Sequence, residues 1–177
     1  GYSHMLYGRF CQEDCRRALW LSLLGGASAG ITYGAHGVWN WQGAGQGKGL
    51  FEGEGFLKAL PHEVGLHFPG ARDFGFAKTL AERLDLFELV PAQEVLATHA
   101  DDVFASKAAD GSKLLVYVPY NADIRLAGDF SSSHARAIDL AERTIVPLEA
   151  SYDAGKRTTL LSQGTWLEDA VLVLDLA

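Results

Sequence analysis

The chain has 177 residues, of which 48% are apolar, and its formal net charge is −7. An apolar fraction this high supports a packed core and excludes a wholly disordered chain. The excess of acidic side chains argues against nucleic acid or an anionic membrane as the main partner. No run of about 18 apolar residues predicts a membrane span.

The first half of the chain predicts two helices around a glycine-rich loop. Gln12 to Leu24 is apolar almost all round, which predicts a helix buried on most sides. Ala27 to Tyr33 predicts a short buried strand. Eleven of the 20 glycines then fall between Gly25 and Gly55, and a loop this long in a compact domain is usually functional or disordered. The apolar stripe of Ala71 to Leu84 predicts the second helix.

The two cysteines, Cys11 and Cys15, are four residues apart beside the first predicted helix. Side chains on adjacent helical turns lie roughly parallel, which is a poor geometry for a disulfide. A metal site would need further ligands, and no CxxC or HxxxH pattern supplies them. The sequence therefore predicts free thiols, with no metal and no cofactor. The adjacent Asp101 and Asp102 give only weak support for a calcium site.

The second half of the chain predicts an antiparallel β-sandwich. Short β-rich segments recur about every ten residues, and turn signals such as Asp110-Gly111 separate them. The predicted strands are Val103–Ala108, Lys113–Pro119, Ile124–Ala127, Ala135–Leu140, Thr144–Leu148, Arg157–Leu161 and Ala170–Asp175. Glycine becomes rare after Gly75, which favours two architectures joined near residues 85–95.

The sequence also carries a specific family resemblance. RRALWLSLLGGASAGITYGAHGVWNW, from Arg16 to Trp41, and LHFPGARDF, from Leu66 to Phe74, are similar to the last barrel section of the apiosidase-like glycoside hydrolases. ADGSKLLVYVP, from Ala109 to Pro119, and the terminal DAVLVLDL resemble the β-sandwich that follows this barrel, which is labelled collagen-binding in the family. The resemblance covers essentially the whole chain.

The resemblance implies an α/β part followed by an all-β part. Residues 1–90 would be the C-terminal segment of a (β/α)8 barrel, and residues 91–177 an antiparallel β-sandwich. On that alignment Gln12 to Leu24 is barrel helix 7, Ala27 to Tyr33 is strand 8, and Ala71 to Leu84 is helix 8. The chain would then start just after strand 7, and its implied partner is the missing N-terminal portion of the barrel.

The implied reaction is removal of a terminal sugar from a polysaccharide or glycoside, with retention of configuration. Retention needs a proton donor and a nucleophile about 5 Å apart. In the family both carboxylates lie on earlier strands, so the resemblance assigns no catalytic residue to this chain. Many polysaccharide-degrading relatives are secreted or periplasmic, and a cytoplasmic location stays open. The family commonly has a histidine where this chain has Ile31.

The expected substrate-binding residues follow the predicted strand 8. Tyr33 and His36 would hydrogen-bond sugar hydroxyls or a catalytic carboxylate, or would be buried groups satisfied by the backbone. Trp39 and Trp41 would stack on a sugar ring, or would pin the loop over the barrel. Two residues apart, they face the same side only if the segment is extended. His4, which follows the family's nucleophile strand, would line the same site or belong to a frayed chain end.

Other residues favour structural roles. Glu52 and Glu54 are paired carboxylates, but one flexible loop does not easily hold two carboxylates across a glycosidic bond. Trp20 and Trp166 are expected in the core. Two rival interpretations stay open: a non-catalytic carbohydrate- or protein-binding β-sandwich with a helical extension, and a catalytically inactive family member.

Overall fold

The computed structural model describes residues 3–4, 8–39, 41–45, 59–98 and 100–176. Side chains are described from residue 10 onward within these ranges, so the side chain of His4 and residues Glu52 and Glu54 lie outside them. The chain divides into two compact units. The first comprises Gly1–Leu19 and Ile31–Leu84, and the second comprises Trp20–Gly30 and Asp85–Ala177.

The described part of the first unit is mainly helical. Its elements are a two-stranded antiparallel ladder of β1 (Ser3–His4) and β2 (Gly8–Arg9), the start of α1 (Gln12–Leu24), α2 (His62–Gly65) and α3 (Gly70–Leu84). The prediction of both long helices is confirmed, α1 at its predicted bounds and α3 one residue earlier. Among the described residues, no helix is long and apolar enough to cross a membrane.

The ends of α1 follow from local side-chain and backbone chemistry. At its start the backbone N–H of Cys11 donates to Asp14 Oδ2 at 2.8 Å, so an acidic side chain in the first turn satisfies an otherwise unpaired donor. At its end Gly26 adopts φ +97°. The N–H of Gly26 bonds to the carbonyl of Leu23, and that of Ala27 to the carbonyl of Ser22. This pair of bonds is a Schellman motif, which needs glycine at the left-handed position.

The predicted strand over Ala27 to Tyr33 is wrong, because residues 27–35 contain no strand. A strand of a parallel sheet needs neighbours on both sides to pair its backbone groups. Every described strand pair is antiparallel, and none includes this segment. The segment is therefore irregular in this chain, and the assignment of residues 1–90 to a barrel remains a prediction.

The second unit is an antiparallel β structure. Its strands are β3 (Leu89–Pro91), β4 (Phe104–Ala108), β5 (Lys113–Val118), β6 (Ile124–Ala127), β7 (His134–Asp139), β8 (Ile145–Pro147), β9 (Ala150–Asp153), β10 (Thr158–Leu161) and β11 (Ala170–Asp175), with a 3-10 turn at Gln93–Val95. One sheet has the order β3-β4-β5-β11-β7-β8, and the other has the order β6-β10-β9. All seven predicted strands are present.

Both sheets of the second unit contribute to one apolar core. Val116 and Leu172 come from the larger sheet, and Leu126 and Leu161 from the smaller one. Trp166 is 1% exposed within this core, which confirms its predicted packing role. The antiparallel, β-rich part of the fold prediction is therefore confirmed.

The C-terminal turn of α1 belongs to the second unit. Trp20 and Leu24 are buried, as predicted for Trp20. The carbonyl of Leu24 accepts a hydrogen bond from the hydroxyl of Ser106 on β4 at 2.6 Å, in fully buried surroundings. Since carbonyls in the last helical turn have no partner within the helix, Ser106 satisfies a group that would otherwise be buried unpaired.

Candidate functional site

The segment that carries the predicted aromatic residues folds into consecutive turns. The N–H of Val38 bonds to the carbonyl of Ala35 at 2.9 Å, and that of Trp41 to the carbonyl of Val38 at 3.0 Å. Trp41 itself has φ +47°. This conformation costs a non-glycine residue about 1–3 kcal/mol and persists only where the surrounding structure imposes it. Because the segment is not extended, the condition under which Trp39 and Trp41 face the same side is not met.

Trp41 is presented on an aromatic stack. Its indole lies 4.0 Å from the imidazole of His62, centroid to centroid, at an interplanar angle of 24°. The side chain is nevertheless 63% exposed. One face of the indole is therefore covered by His62, and solvent reaches much of the remainder.

His62 is held in place by the carbonyl of Gln42. Its backbone N–H donates to this oxygen at 2.7 Å, and its ring Nδ1 lies 2.9 Å from the same oxygen. A carbonyl only accepts, so Nδ1 carries the proton in this contact. The carboxylate of Glu63 lies 3.4 Å from the same nitrogen. These contacts fix the ring that supports Trp41.

A second histidine–tryptophan stack lies in the same turns. The rings of His36 and Trp39 are 5.6 Å apart at 11°. His36 is 6% exposed and Trp39 is 41% exposed. The buried ring of His36 therefore packs against Trp39, and the Trp39 ring is the more exposed of the two.

Tyr33 lines a small cleft at the start of α3. Its ring packs against Phe74 at 5.3 Å and 58°. A side chain at Gly70 would come within 2.8 Å of the ring, so glycine is needed for this contact. The cleft has a volume of about 140 Å³, and Cys11 and Cys15 also line it.

The Cys15 thiol that lines the cleft beside Tyr33 is not an activated nucleophile. Both cysteines are free thiols. Burial is the largest cause that raises the pKa of Cys15 above its usual value, so this thiol stays protonated at neutral pH.

Asp73 is a buried carboxylate of the first unit, and it is engaged in an ion pair. Arg16 Nη1 lies 3.8 Å from its Oδ2, with both side chains almost fully buried. Gln12 Nε2 donates to the same oxygen at 2.9 Å. A carboxylate held in this way ties α1 to α3. Among the described residues, no group of three or more His, Cys, Asp or Glu side chains could hold a metal ion.

One family model matches the chain over its first half. The family model described as apiosidase-like, catalytic domain, matches residues 2–88. The resemblance to the apiosidase-like glycoside hydrolases is confirmed. The apiosidase-like match contains all five expected substrate-binding residues and ends one residue before β3.

Two solved structures share the fold of the chain. One is named glycoside hydrolase, with a TM-score of 0.77 and 20% identity over 98% of this chain and 40% of its own length. The other is a family 5 glycoside hydrolase from Bacteroides vulgatus ATCC 8482, with a TM-score of 0.74 and 21% identity over 94% of this chain and 36% of its own. The chain thus spans about two fifths of the length of these structures. No curated protein matches it.

The sequence predicted Trp39, Trp41 and His36 as site residues, but not that His62 supports Trp41. His62 lies 21 residues beyond Trp41 and follows no ligand spacing, so only the folded chain brings the two rings together. The stack of His36 on Trp39 was available from the sequence as an i, i+3 pair, but only if this segment had been expected to turn.

Proposed function

We propose that this chain is part of a glycoside hydrolase that removes terminal sugars from a polysaccharide or glycoside, and that Trp41 is its main sugar-stacking surface. The observation that carries the proposal is the Trp41–His62 stack, which holds a large indole in place while leaving it 63% exposed. A ring that is already held in one orientation offers a ligand an apolar surface at a low entropic cost. The C–H face of a sugar ring is an apolar surface of matching size.

The other predicted residues have secondary substrate-binding roles in this proposal. Trp39 is a second stacking surface, and His36 positions it. Tyr33 supplies a hydroxyl at the cleft beside α3 and hydrogen-bonds a sugar or a neighbouring polar group. His4 completes the substrate-binding set from the start of the chain, and its side chain lies outside the described residues.

The proposed chemistry retains the anomeric configuration. It requires a proton donor and a nucleophile about 5 Å apart, and both carboxylates would come from the barrel portion that precedes this segment in the whole enzyme. In that enzyme the chain would bind substrate and support the fold, and alone it would be inactive. NMR of the first sugar that the whole enzyme releases tests the stereochemistry. This sugar should first have the same anomeric configuration as in the substrate, and release of the opposite anomer would contradict retention.

The stacking role of Trp41 predicts a specific loss of binding. In residues 1–177, Trp41→Ala should weaken binding of a neutral hexasaccharide such as xylohexaose by about two- to tenfold, since a stacked ring pair contributes about 0.5–1.5 kcal/mol. Calorimetric titration measures this change. Phe87→Ala is the matched control, because Phe87 is equally exposed, at 68%, and lies outside the turns. If Trp41→Ala binds as tightly as the unmodified chain, the proposal is wrong.

A non-catalytic carbohydrate-binding role for the β-rich unit is the second candidate. It is favoured by a groove in that unit, which does not involve Trp41. The two candidates differ in which backbone amides respond to ligand, and the same chain can carry both.

A further inference from the structure

The second unit contains a groove that does not involve the proposed stacking surface of Trp41 and that favours the second candidate function. It lies beside the end of α1, the 3-10 turn and the start of β4, and its volume is about 610 Å³. The lining residues, all from the second unit, are Leu24, Gly25, Pro91, Gln93, Glu94, Leu96, Thr98, Ala100, Asp101 and Phe104. Small-molecule sites typically have a volume of about 300–1,000 Å³, mostly apolar walls and a few placed polar groups. The groove meets each of these criteria.

The floor of the groove is apolar and firmly packed. Leu24 and Leu96 are buried side chains of the unit, and the ring of Phe104 lies beside them. A side chain at Gly25 would contact this ring at 3.4 Å and would approach the carbonyl of Leu21 at 2.6 Å. Glycine at this position therefore keeps the edge of the Phe104 ring open to the groove.

One wall of the groove is fixed by Gln93. Its Nε2 donates to the carbonyl of Val103 at 2.6 Å, and its Oε1 accepts the N–H of Ala105 at 3.1 Å. The amide is thus used to join the 3-10 turn to β4. Because this wall is tied at two points, the groove is formed before any ligand arrives, which lowers the entropic cost of binding.

The rim of the groove carries hydrogen-bonding groups that suit hydroxyls. Glu94 and Asp101 are exposed carboxylates, and Lys107 Nζ lies 3.9 Å from Glu94 Oε1. Thr98 Oγ1 accepts the N–H of Arg125 at 2.7 Å, so its own proton can be donated to a ligand. None of the ten lining residues, all of which the structure describes, is basic.

We propose that this groove is a binding site for a short neutral oligosaccharide. The half-buried Phe104 ring would contact the C–H face of a sugar, and the exposed carboxylates of Glu94 and Asp101 would accept hydrogen bonds from its hydroxyls. A glycan with carboxylates of its own would be repelled by the same two groups. Lys107 offsets part of the charge at Glu94, which makes the rim less selective for cations than two free carboxylates would be.

The test is a titration of ¹⁵N-labelled residues 1–177 with xylohexaose and with cellohexaose, followed by backbone NMR. We expect saturable shifts at the amides of Thr98, Ala100 and Asp101. The double variant Glu94→Ala/Asp101→Ala should weaken this binding by at least about tenfold, because it removes two charged acceptors. The control Glu142→Ala/Glu149→Ala removes the same charge from exposed positions away from the groove and should bind as the unmodified chain does.

Three results would overturn the assignment. They are no saturable shift with either hexasaccharide, equal affinity in the groove double variant, and shifts at these amides with a trilysine peptide alone. Repeating the titration in Trp41→Ala separates this site from the proposed stacking site. If the groove shifts persist in that variant, the groove binds independently, and if they vanish, the groove proposal fails while the role of Trp41 stands.

Discussion

At the residue scale, buried polar groups of this chain are placed where the backbone would otherwise lack a partner. Ser106 is the clearest case, because its hydroxyl satisfies the carbonyl of Leu24 with no solvent access. The hydroxyl of Ser106 therefore joins the end of α1 to strand β4. No local pattern indicates this role, since the two residues are 82 positions apart.

Replacing Ser106 should therefore destabilise the second unit. Ser106→Ala leaves the carbonyl of Leu24 buried without its partner, and the cost of such a group is about 1–3 kcal/mol. Hydrogen exchange of β5 and β11 amides reports this loss, because central strands exchange through unfolding of the whole unit. Ser131→Ala is the control, since its hydroxyl bond to Asp129 is solvent-exposed, and it should change stability by less than about 0.5 kcal/mol.

Asp175 gives the second unit a dependence on pH. Its carboxylate accepts a hydrogen bond from Arg136 on the neighbouring strand, and this bond is the largest cause that lowers the pKa of Asp175. A group whose pKa is lowered by folding adds stability above its unfolded pKa, about 3.9 for Asp, and the stability is lost as the pH falls below that value. Since the carboxylate is 38% exposed, we expect less than about 1 kcal/mol.

This contribution is isolated by comparing Asp175→Asn with the unmodified chain in urea at pH 7 and at pH 3. The variant should be less stable at pH 7, and the difference should shrink towards pH 3. Glu149→Gln, an exposed neutralisation, should show neither effect. A difference that stays constant with pH would mean that Asp175 acts through packing and not through its charge. Asp110, Asp129 and Asp153 also have lowered pKa values, but their contributions cancel in this comparison.

At the scale of elements, the helices and most strands were predictable because their signals are local. The apolar pattern of α1 and its two terminal glycines fix its length, and turn residues delimit the seven predicted strands. The strand at residues 27–33 failed because the pairing of a strand is not a local property. The short strands β3 and β9 were missed because they span only three and four residues. All residues of both strands are half-buried or exposed, and β9 shows no apolar pattern.

The glycines of α3 provide a matched pair for testing element stability. A methyl group at Gly75 meets no atom within 4 Å, whereas one at Gly70 comes within 2.8 Å of the Tyr33 ring. Gly75→Ala should therefore stabilise α3 by about 0.5–1 kcal/mol through helix propensity. Gly70→Ala should displace Tyr33 and lower protection. Hydrogen exchange of α3 amides measures both, and equal effects of the two substitutions would show that the Tyr33 contact is absent in solution.

The candidate site was partly predictable at the same scale. Trp39 and Trp41 stand out as aromatic residues in a glycine-rich loop, and the structure places both at exposed positions. The support of Trp41 by His62 could not be found by spacing, because the two rings meet across 21 residues of sequence. The left-handed backbone of Trp41 also orients its ring in a direction that no periodic pattern encodes.

At the scale of the whole molecule, the match to the apiosidase-like catalytic domain and the compact units divide the chain differently. The family match ends at residue 88. The end of α1, however, is packed within the second unit, where Trp20 and Leu24 are 2% and 0% exposed. Residues 20–30 thus lie within the match to the family model and, by packing, within the β-rich unit. A cut between these two regions of sequence would separate α1 from the strands that bury its last turn.

We therefore predict that residues 1–85 do not form a native-like unit alone. Cutting at 85 exposes Trp20 and Leu24, each of which contributes about 1.5–3 kcal/mol when buried, and leaves the carbonyl of Leu24 without Ser106. Together these losses approach the stability of a typical domain, about 5–15 kcal/mol. Hydrogen exchange of residues 18–24 should show protection in the 177-residue chain and little in residues 1–85. A cooperative melt of monomeric residues 1–85, with these amides protected, would show that the first unit supplies its own core and that the β-rich unit is dispensable for α1.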